Sequence, residues 1–217
     1  MASNIFVSFR FNDGHGYKKE LEKVFENSGR VVDFSEDTDR SNMSEETIKK
    51  YLYAKLRETS VTIVILTPQA IQYKTKQEWN GWQYETKIDD WLYDELRYSL
   101  EDREDNRTNG VVAIYTPEAR DLIMSHSTHS CDKCNYQATN ITTIHDFNNL
   151  VRKNMFNIKD SYKHHQCNDV YHHLNDHYIS LISFEDFKGR HEDYIDNAVG
   201  KRERLGQFKD IVKRIEI

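Results

Sequence analysis

Proline is scarce here, with two in 217 residues, and neither falls inside a stretch that reads as helix. Cysteine is scarcer than a disulfide framework needs: three residues, an odd count, which predicts a reducing, cytoplasmic setting. No window approaches 18 continuous apolar residues, so no membrane span is expected. The opening Met1-Ala2-Ser3-Asn4-Ile5-Phe6 lacks a basic stretch followed by an apolar one, so no signal peptide is expected either. Basic excess is missing too. The formal charge is −6, and without a positive surplus there is no electrostatic drive toward nucleic acid.

What is present points to a folded core. Apolar residues make up only 37%, but aromatics reach 12%, and aromatics bury large areas each, which argues against disorder. The charge also has an address. Residues 89–105 hold eight acids and two bases, equal to the whole net charge. Short β-branched and aromatic runs alternate with longer amphipathic stretches. Residues 4–9, 31–34, 61–66, 111–115 and 178–184 read as strands. Residues 17–27, the stretch opening at Ser44, 76–103 and 191–214 read as helices, the third bearing Trp79, Trp82, Ile88, Trp91, Leu92 and Leu96. Pro68 and Pro117 each follow a Thr at the end of an apolar run, where a strand must stop. The alternation predicts one α/β domain over 1–217, a doubly wound, mainly parallel five-stranded sheet of flavodoxin-like type. Residues 118–177 interrupt the rhythm: nine of the ten histidines and all three cysteines lie at or beyond 126. They read as a large polar insertion before the last strand.

Ligands of open α/β sheets bind beyond the carboxyl ends of the strands, where the strand order switches. That directs attention to Arg10, Phe11, Asn12 and Asp13 after the first strand, and to Ser35, Glu36, Asp37 and Asp39 after the second. After the third come Thr67 and Gln69, leading to Trp79, Trp82 and Glu85. On a helix, Trp82 and Glu85 would share a face, an aromatic wall beside a carboxylate. Such a pair suits nucleotide chemistry, the ring stacking on a base and the carboxylate holding a ribose or stabilising charge at the anomeric carbon. Equally, Trp82 could be core and Glu85 a solvated helix acid.

Three motifs in register carry a resemblance. Ser8-Phe9-Arg10-Phe11-Asn12-Asp13 resembles the first motif of TIR-like domains, and Thr59 to Leu66 resembles their third-strand motif. Gly81-Trp82-Gln83-Tyr84-Glu85 resembles the Trp/Tyr–Glu helix motif that carries the catalytic glutamate of TIR NAD-cleaving enzymes. The pattern is most similar to the TIR-like proteins of the bacterial Thoeris anti-phage system (ThsB-like proteins), over residues 4–115 and again over 178–214. In that family the Trp usually stands four residues before the Glu; here Gly81 holds that place, flanked by Trp79 and Trp82. The resemblance implies an enzyme that breaks the nicotinamide–ribose bond of NAD, a glycohydrolase or ADP-ribosyl cyclase. Its ADP-ribose product would be a signalling nucleotide, in the manner of cyclic ADP-ribose, that activates a separate effector, with a phage component as trigger. It implies Glu85 as catalytic carboxylate and NAD as substrate. Phe11 would stack near the nicotinamide, Arg10 and Asp13 would border the same loop, and Asp33 and Ser35 would face the pocket from the second strand.

The Cys131-Asp132-Lys133-Cys134 pair, with Cys167 and a neighbouring histidine, has the ligand count of a structural zinc site. A lone CxxC with a loosely spaced second pair reads as well as a polar loop, and no metal is expected. Two other functions compete. A non-catalytic TIR-type interaction module, homo-oligomeric or bound to an effector, would use the acidic 89–105 segment and Trp91, Tyr93 and Tyr98. A response-regulator receiver needs an Asp at the end of the third strand, and Leu66-Thr67-Pro68 stands there instead.

Overall fold

The computed structural model describes residues 3–28, 31–33, 45–102, 107–124, 126–130, 137–141, 149–165, 167 and 170–215. In chain order they form β1 (Ser3–Ser8), α1 (Phe11–Ser28), β2 (Val31–Asp33), α2 (Glu45–Arg57), β3 (Val61–Leu66), β4 (Thr75–Trp79) and β5 (Tyr84–Ile88). There follow α3 (Trp91–Leu100), β6 (Gly110–Tyr115), α4 (Pro117–Ile123), β7 (His126–Ser130), β8 (Gln137–Ile141), α5 (Leu150–Lys153), β9 (Ile179–Ser183) and α6 (Phe184–Glu203). Single 3₁₀ turns lie at Asp160–Tyr162 and Leu205–Gln207.

Four parallel strands in the order β1-β3-β6-β9 make the body of the sheet. The three residues of β2, within the second strand expected at 31–34, pair parallel to the outer side of β1. Burial on both faces explains the unbroken apolar runs, because helices cover each side of such a sheet. Ile5, Val7, Ile63, Ile65, Val112 and Ile114 pack under α1 and α6. Alternate residues Val64, Leu66, Val111 and Ala113 pack on the opposite face against Leu92, Leu96 and Leu100 of α3. Phe6 meets Leu56 of α2 and Tyr98 of α3 on that second face. At Gly110 a Cβ would lie 2.3 Å from the Ala198 carbonyl, so only glycine lets β6 approach α6 this closely.

One sequence expectation is overturned. Residues 76–103 are not a single helix: the stretch is an antiparallel hairpin, β4–β5, followed by the shorter α3. The reason lies at Asn80-Gly81, a turn signal that outweighs the helical spacing of the aromatics. Gly81 adopts φ +99°, which suits glycine alone. The Asn80 side-chain oxygen accepts from the Trp82 and Gln83 amides, both at 2.9 Å, closing the loop. Cross-strand pairs then hold the hairpin: Lys87 with Glu78 at 2.7 Å, Gln77 with Thr86 at 2.8 Å, and the Trp79 and Tyr84 rings at 5.2 Å.

Nor is 118–177 wholly peripheral. Leu150, Val151, Met155 and Ile158 are buried in the main core beside α3. Asn154 ties the carboxyl-terminal tail to this segment, accepting from the Val212 amide at 2.9 Å and donating to its carbonyl at 2.8 Å. The last long helix also begins earlier than its sequence pattern suggests, at Phe184, with a kink at Arg190. Among the described residues no helix is long and apolar enough to cross a membrane.

Candidate functional site at the carboxyl ends of β1 and β3

The strand order reverses direction between β1 and β3: β2 is added on one side, β6 and β9 on the other. The crevice beyond these two strands is where an open α/β sheet takes its ligand. Ser8 closes β1 there, fully buried, and its hydroxyl donates to Oε2 of Glu95 at 2.5 Å. Glu95 projects from the second turn of α3 and is itself buried. Burial pushes its carboxyl pKa up to about 8, Asp90 and Asp94 add to the rise, and only the Ser8 hydroxyl opposes it. Near neutral pH this carboxyl therefore holds its proton. A buried acid with such a shift at the strand ends is a candidate functional group.

The helix that carries it is held at its start. Asp90 caps α3, Oδ1 accepting from the Leu92 amide at 3.0 Å and the Tyr93 amide at 3.3 Å. Its other oxygen takes the Lys74 amide at 2.6 Å and forms an ion pair with Arg10. Arg10 also donates to the Gln69 carbonyl at 2.7 Å and the Gln72 carbonyl at 2.9 Å. One guanidinium thus joins the end of β1, the 69–74 loop and the N-terminus of α3. On the inner face of α3 one turn beyond Glu95, Ser99 hydrogen-bonds Thr62 of β3 at 2.8 Å and returns a bond to the Glu95 carbonyl at 2.8 Å. This polar seam fixes the rotation of the helix, and with it the direction of Glu95.

Several sequence-predicted residues meet here. Ser8, Arg10 and Asp13 all belong to the crevice; Asp13 accepts from the Gln69 amide at 3.2 Å through Oδ2. Its Oδ1 is buried with no protein partner, spare acceptor capacity at the mouth of the crevice. Phe11 opens α1 half-exposed, its ring stacked on His15 with centroids 4.8 Å apart. Arg10, by contrast, is spent on structure, since three acceptors already use its donors.

Others do not meet there as expected. Glu85 sits on β5, opposite Glu78 across the hairpin, and accepts from the Asn80 side chain. It does not share a helical face with Trp82, because no helix exists there. Trp82 is 91% exposed, Tyr84 71% and Trp79 56%, so the aromatic wall is a solvent-facing hairpin and none of the three is core. Asp33 ends β2, and Ser35 lies outside the described residues. Cys131 and Cys134 also lie outside them. Cys167 is half-buried, its amide donating to His165 Nδ1 at 3.1 Å. Among the described residues, no three His, Cys, Asp or Glu side chains are gathered as a metal site.

Glu95 was missed for a definite reason. It sits within the acidic run 89–105, where a carboxylate reads as solvated. A signal was available: Trp91 stands four residues before Glu95, the spacing that Gly81 breaks for Glu85. Trp91 opens α3, partly exposed, with the Lys49 ammonium 5.6 Å from its ring centroid. Trp91 and Glu95 are the aromatic and the acid that do share a helical turn. Compared with family models and with curated proteins, the chain matches none.

Proposed function

We propose that this chain is a TIR-like enzyme that cleaves the nicotinamide–ribose bond of NAD, with Glu95 rather than Glu85 as its carboxylate. The observation that carries the reading is the buried Ser8–Glu95 pair in the crevice where the strand order switches. Trp91 one turn ahead of Glu95, the half-exposed Phe11 ring and the unpartnered Asp13 oxygen support it.

The chemistry asks little of the protein. The glycosidic bond breaks with its electron pair moving to the pyridinium nitrogen, so nicotinamide leaves neutral and positive charge develops at the ribose carbon. No acid is needed for the leaving group. What is needed is orientation of the ribose and a negative group beside the developing oxocarbenium ion. Glu95 would be neutral in the empty crevice near pH 7, and a cationic nicotinamide ring entering beside it favours the carboxylate by opposite charge. Ser8 would keep that carboxylate aimed. An oxygen or nitrogen nucleophile then captures the ribose carbon; if it belongs to the same ADP-ribose, the product is cyclic, a nucleotide suited to activating a separate effector in anti-phage signalling.

The test is nicotinamide release from NAD by Glu95→Gln and Glu85→Gln in parallel. Glu95→Gln should lose roughly 10²–10³-fold in kcat, and Glu85→Gln should stay within a few-fold. In the wild type, kcat/KM should rise with pH through about 8, because the ionised carboxylate is the active form. Wild-type turnover by Glu95→Gln overturns the assignment. The exposed aromatic hairpin favours a second reading, a non-catalytic interaction module. It predicts no NAD turnover at all and loss of a partner complex on Trp82→Ser.

A further inference from the structure

Away from the crevice, on α6 and the amino-terminal half of β9, the chain buries a lysine whose ammonium makes no direct ion pair among the described residues. Lys201 is 3% exposed, and its ammonium donates to the Ser180 hydroxyl. Among the described residues no carboxylate forms an ion pair with it. Asp176 is nearby and fully buried, but its oxygens accept the His164 amide at 3.0 Å and the His172 amide at 2.7 Å. A buried cation with one neutral partner is costly unless something anionic completes its shell.

A cavity of about 290 Å³ opens beside it. Lys201, Arg204 and His164 line it, together with Asn175, Gln207 and Tyr162; the Nε of Arg204 donates to the Gly200 carbonyl at 2.9 Å, which leaves its terminal nitrogens for a ligand. Ile158 and Phe208 form an apolar wall, and no carboxylate belongs to the described lining. Positive and neutral donors therefore converge on one enclosed space with no fixed acceptor of matching charge. Lys201 supplies a compact point charge, and Arg204 a planar fork of the kind that grips two oxygens of one tetrahedral anion.

We propose that this cavity is a phosphate-binding site, built to take inorganic phosphate or the phosphate group of a small phosphomonoester between Lys201 and Arg204. The cavity is at the small end of ligand pockets, so the ligand is compact. Burial, with Arg204 adding to it and Asp176 only partly opposing it, pushes the Lys201 pKa down to about 7, and a bound dianion would drive it back up.

Calorimetric titration with inorganic phosphate and with phenyl phosphate, at constant ionic strength against sodium chloride, tests this on the whole chain. The wild type should bind at least one of them, and its Tm should rise by several degrees at saturation. Phosphate also stabilises folded proteins by being excluded from their surface, so the comparison is with Lys201→Met, in which titratable binding should vanish. Arg204 is solvent-exposed, so Arg204→Gln should fold normally and bind about tenfold more weakly, the loss of one charge-assisted pair. Equal affinity for the two ligands assigns the site to free phosphate, and tighter phenyl phosphate assigns it to a phosphomonoester against the Phe208 wall. No binding by the wild type overturns the proposal, as does unchanged affinity in Lys201→Met. If Lys201→Met does not fold, unchanged affinity in Arg204→Gln is enough to overturn it.

Discussion

Residues 75–88 and 90–100 are neighbours in the chain and both carry tryptophan and glutamate, yet the fold uses them in opposite ways. The first is a two-stranded hairpin whose residues are mostly exposed and whose ties are local cross-strand pairs. The second is a helix capped by a buried Asp90, anchored by Arg10 and packed on β1 and β3 through Ser8, Thr62 and a run of leucines. Glu85 faces solvent and a neighbouring amide, while Glu95 is buried and holds its proton to about pH 8. The same residue type lies on an open hairpin in one setting and inside the fold in the other. What differs is desolvation, which the helix receives from the sheet and the hairpin does not.

That contrast predicts large effects in the helix region and small ones in the hairpin. The largest should come from Arg10→Ala, which leaves Asp90 buried without its cation: about 3–5 kcal/mol. For a chain of this size that lowers Tm on the order of 10 °C in a thermal melt. Next is the loss of roughly 10²–10³-fold in NAD cleavage on Glu95→Gln, about 3–4 kcal/mol of transition-state stabilisation.

The third prediction concerns pH. The Glu95 carboxyl binds its proton more tightly folded than unfolded, so between 4.5 and about 8 the folded state carries more protons. Its contribution is present in full below 4.5 and is lost as pH rises to about 8, an effect on the order of a few kcal/mol. Glu95→Gln should flatten that descent in urea unfolding measured across the range, while Glu85→Gln should leave it intact. His177 works in the opposite sense: burial pushes it down to about 3, so the unfolded chain takes up the proton first and stability falls as pH drops from 6.5 toward 3.

The hairpin should register less. Gly81→Ala forces a side chain into a positive-φ turn and should cost about 1–2 kcal/mol, seen as a modest fall in Tm. Smallest of all is Trp82→Ser at an exposed position, expected to change stability by less than about 0.5 kcal/mol. A large loss of stability there would break the contrast, because it would mean the hairpin is packed against something that desolvates it.

How much of this was legible beforehand depends on the range of the deciding interactions. β3 announces itself as six consecutive buried β-branched or leucine residues, and Pro68 and Pro117 mark where β3 and β6 stop. Arg10, Phe11 and Asp13 could be placed beyond the carboxyl end of β1 from their position in the chain alone. The hairpin was legible too, through Asn80-Gly81, but the helical spacing of Trp79, Trp82 and Ile88 masked it. Glu95 was harder. It lies in an acidic run, and it is buried against the sheet, where its partner Ser8 is 87 positions away in sequence. The core role of Leu150 and Val151 was hidden likewise, inside a polar stretch whose few apolar residues looked too sparse to pack.

By itself, then, the amino-acid sequence determined the alternation of strands and helices, the parallel sheet and the crevice at the ends of its first and third strands. Periodicity, β-branching and turn residues act over a few positions, and those signals survive in one dimension. Only the tertiary structure decided which glutamate is desolvated, that Arg10 joins β1, the 69–74 loop and α3, and that Lys201 is buried beside a cavity with no direct ion pair. Those are consequences of which distant groups meet, and the energy of a charge is set by what surrounds it in space rather than by what precedes it in the chain.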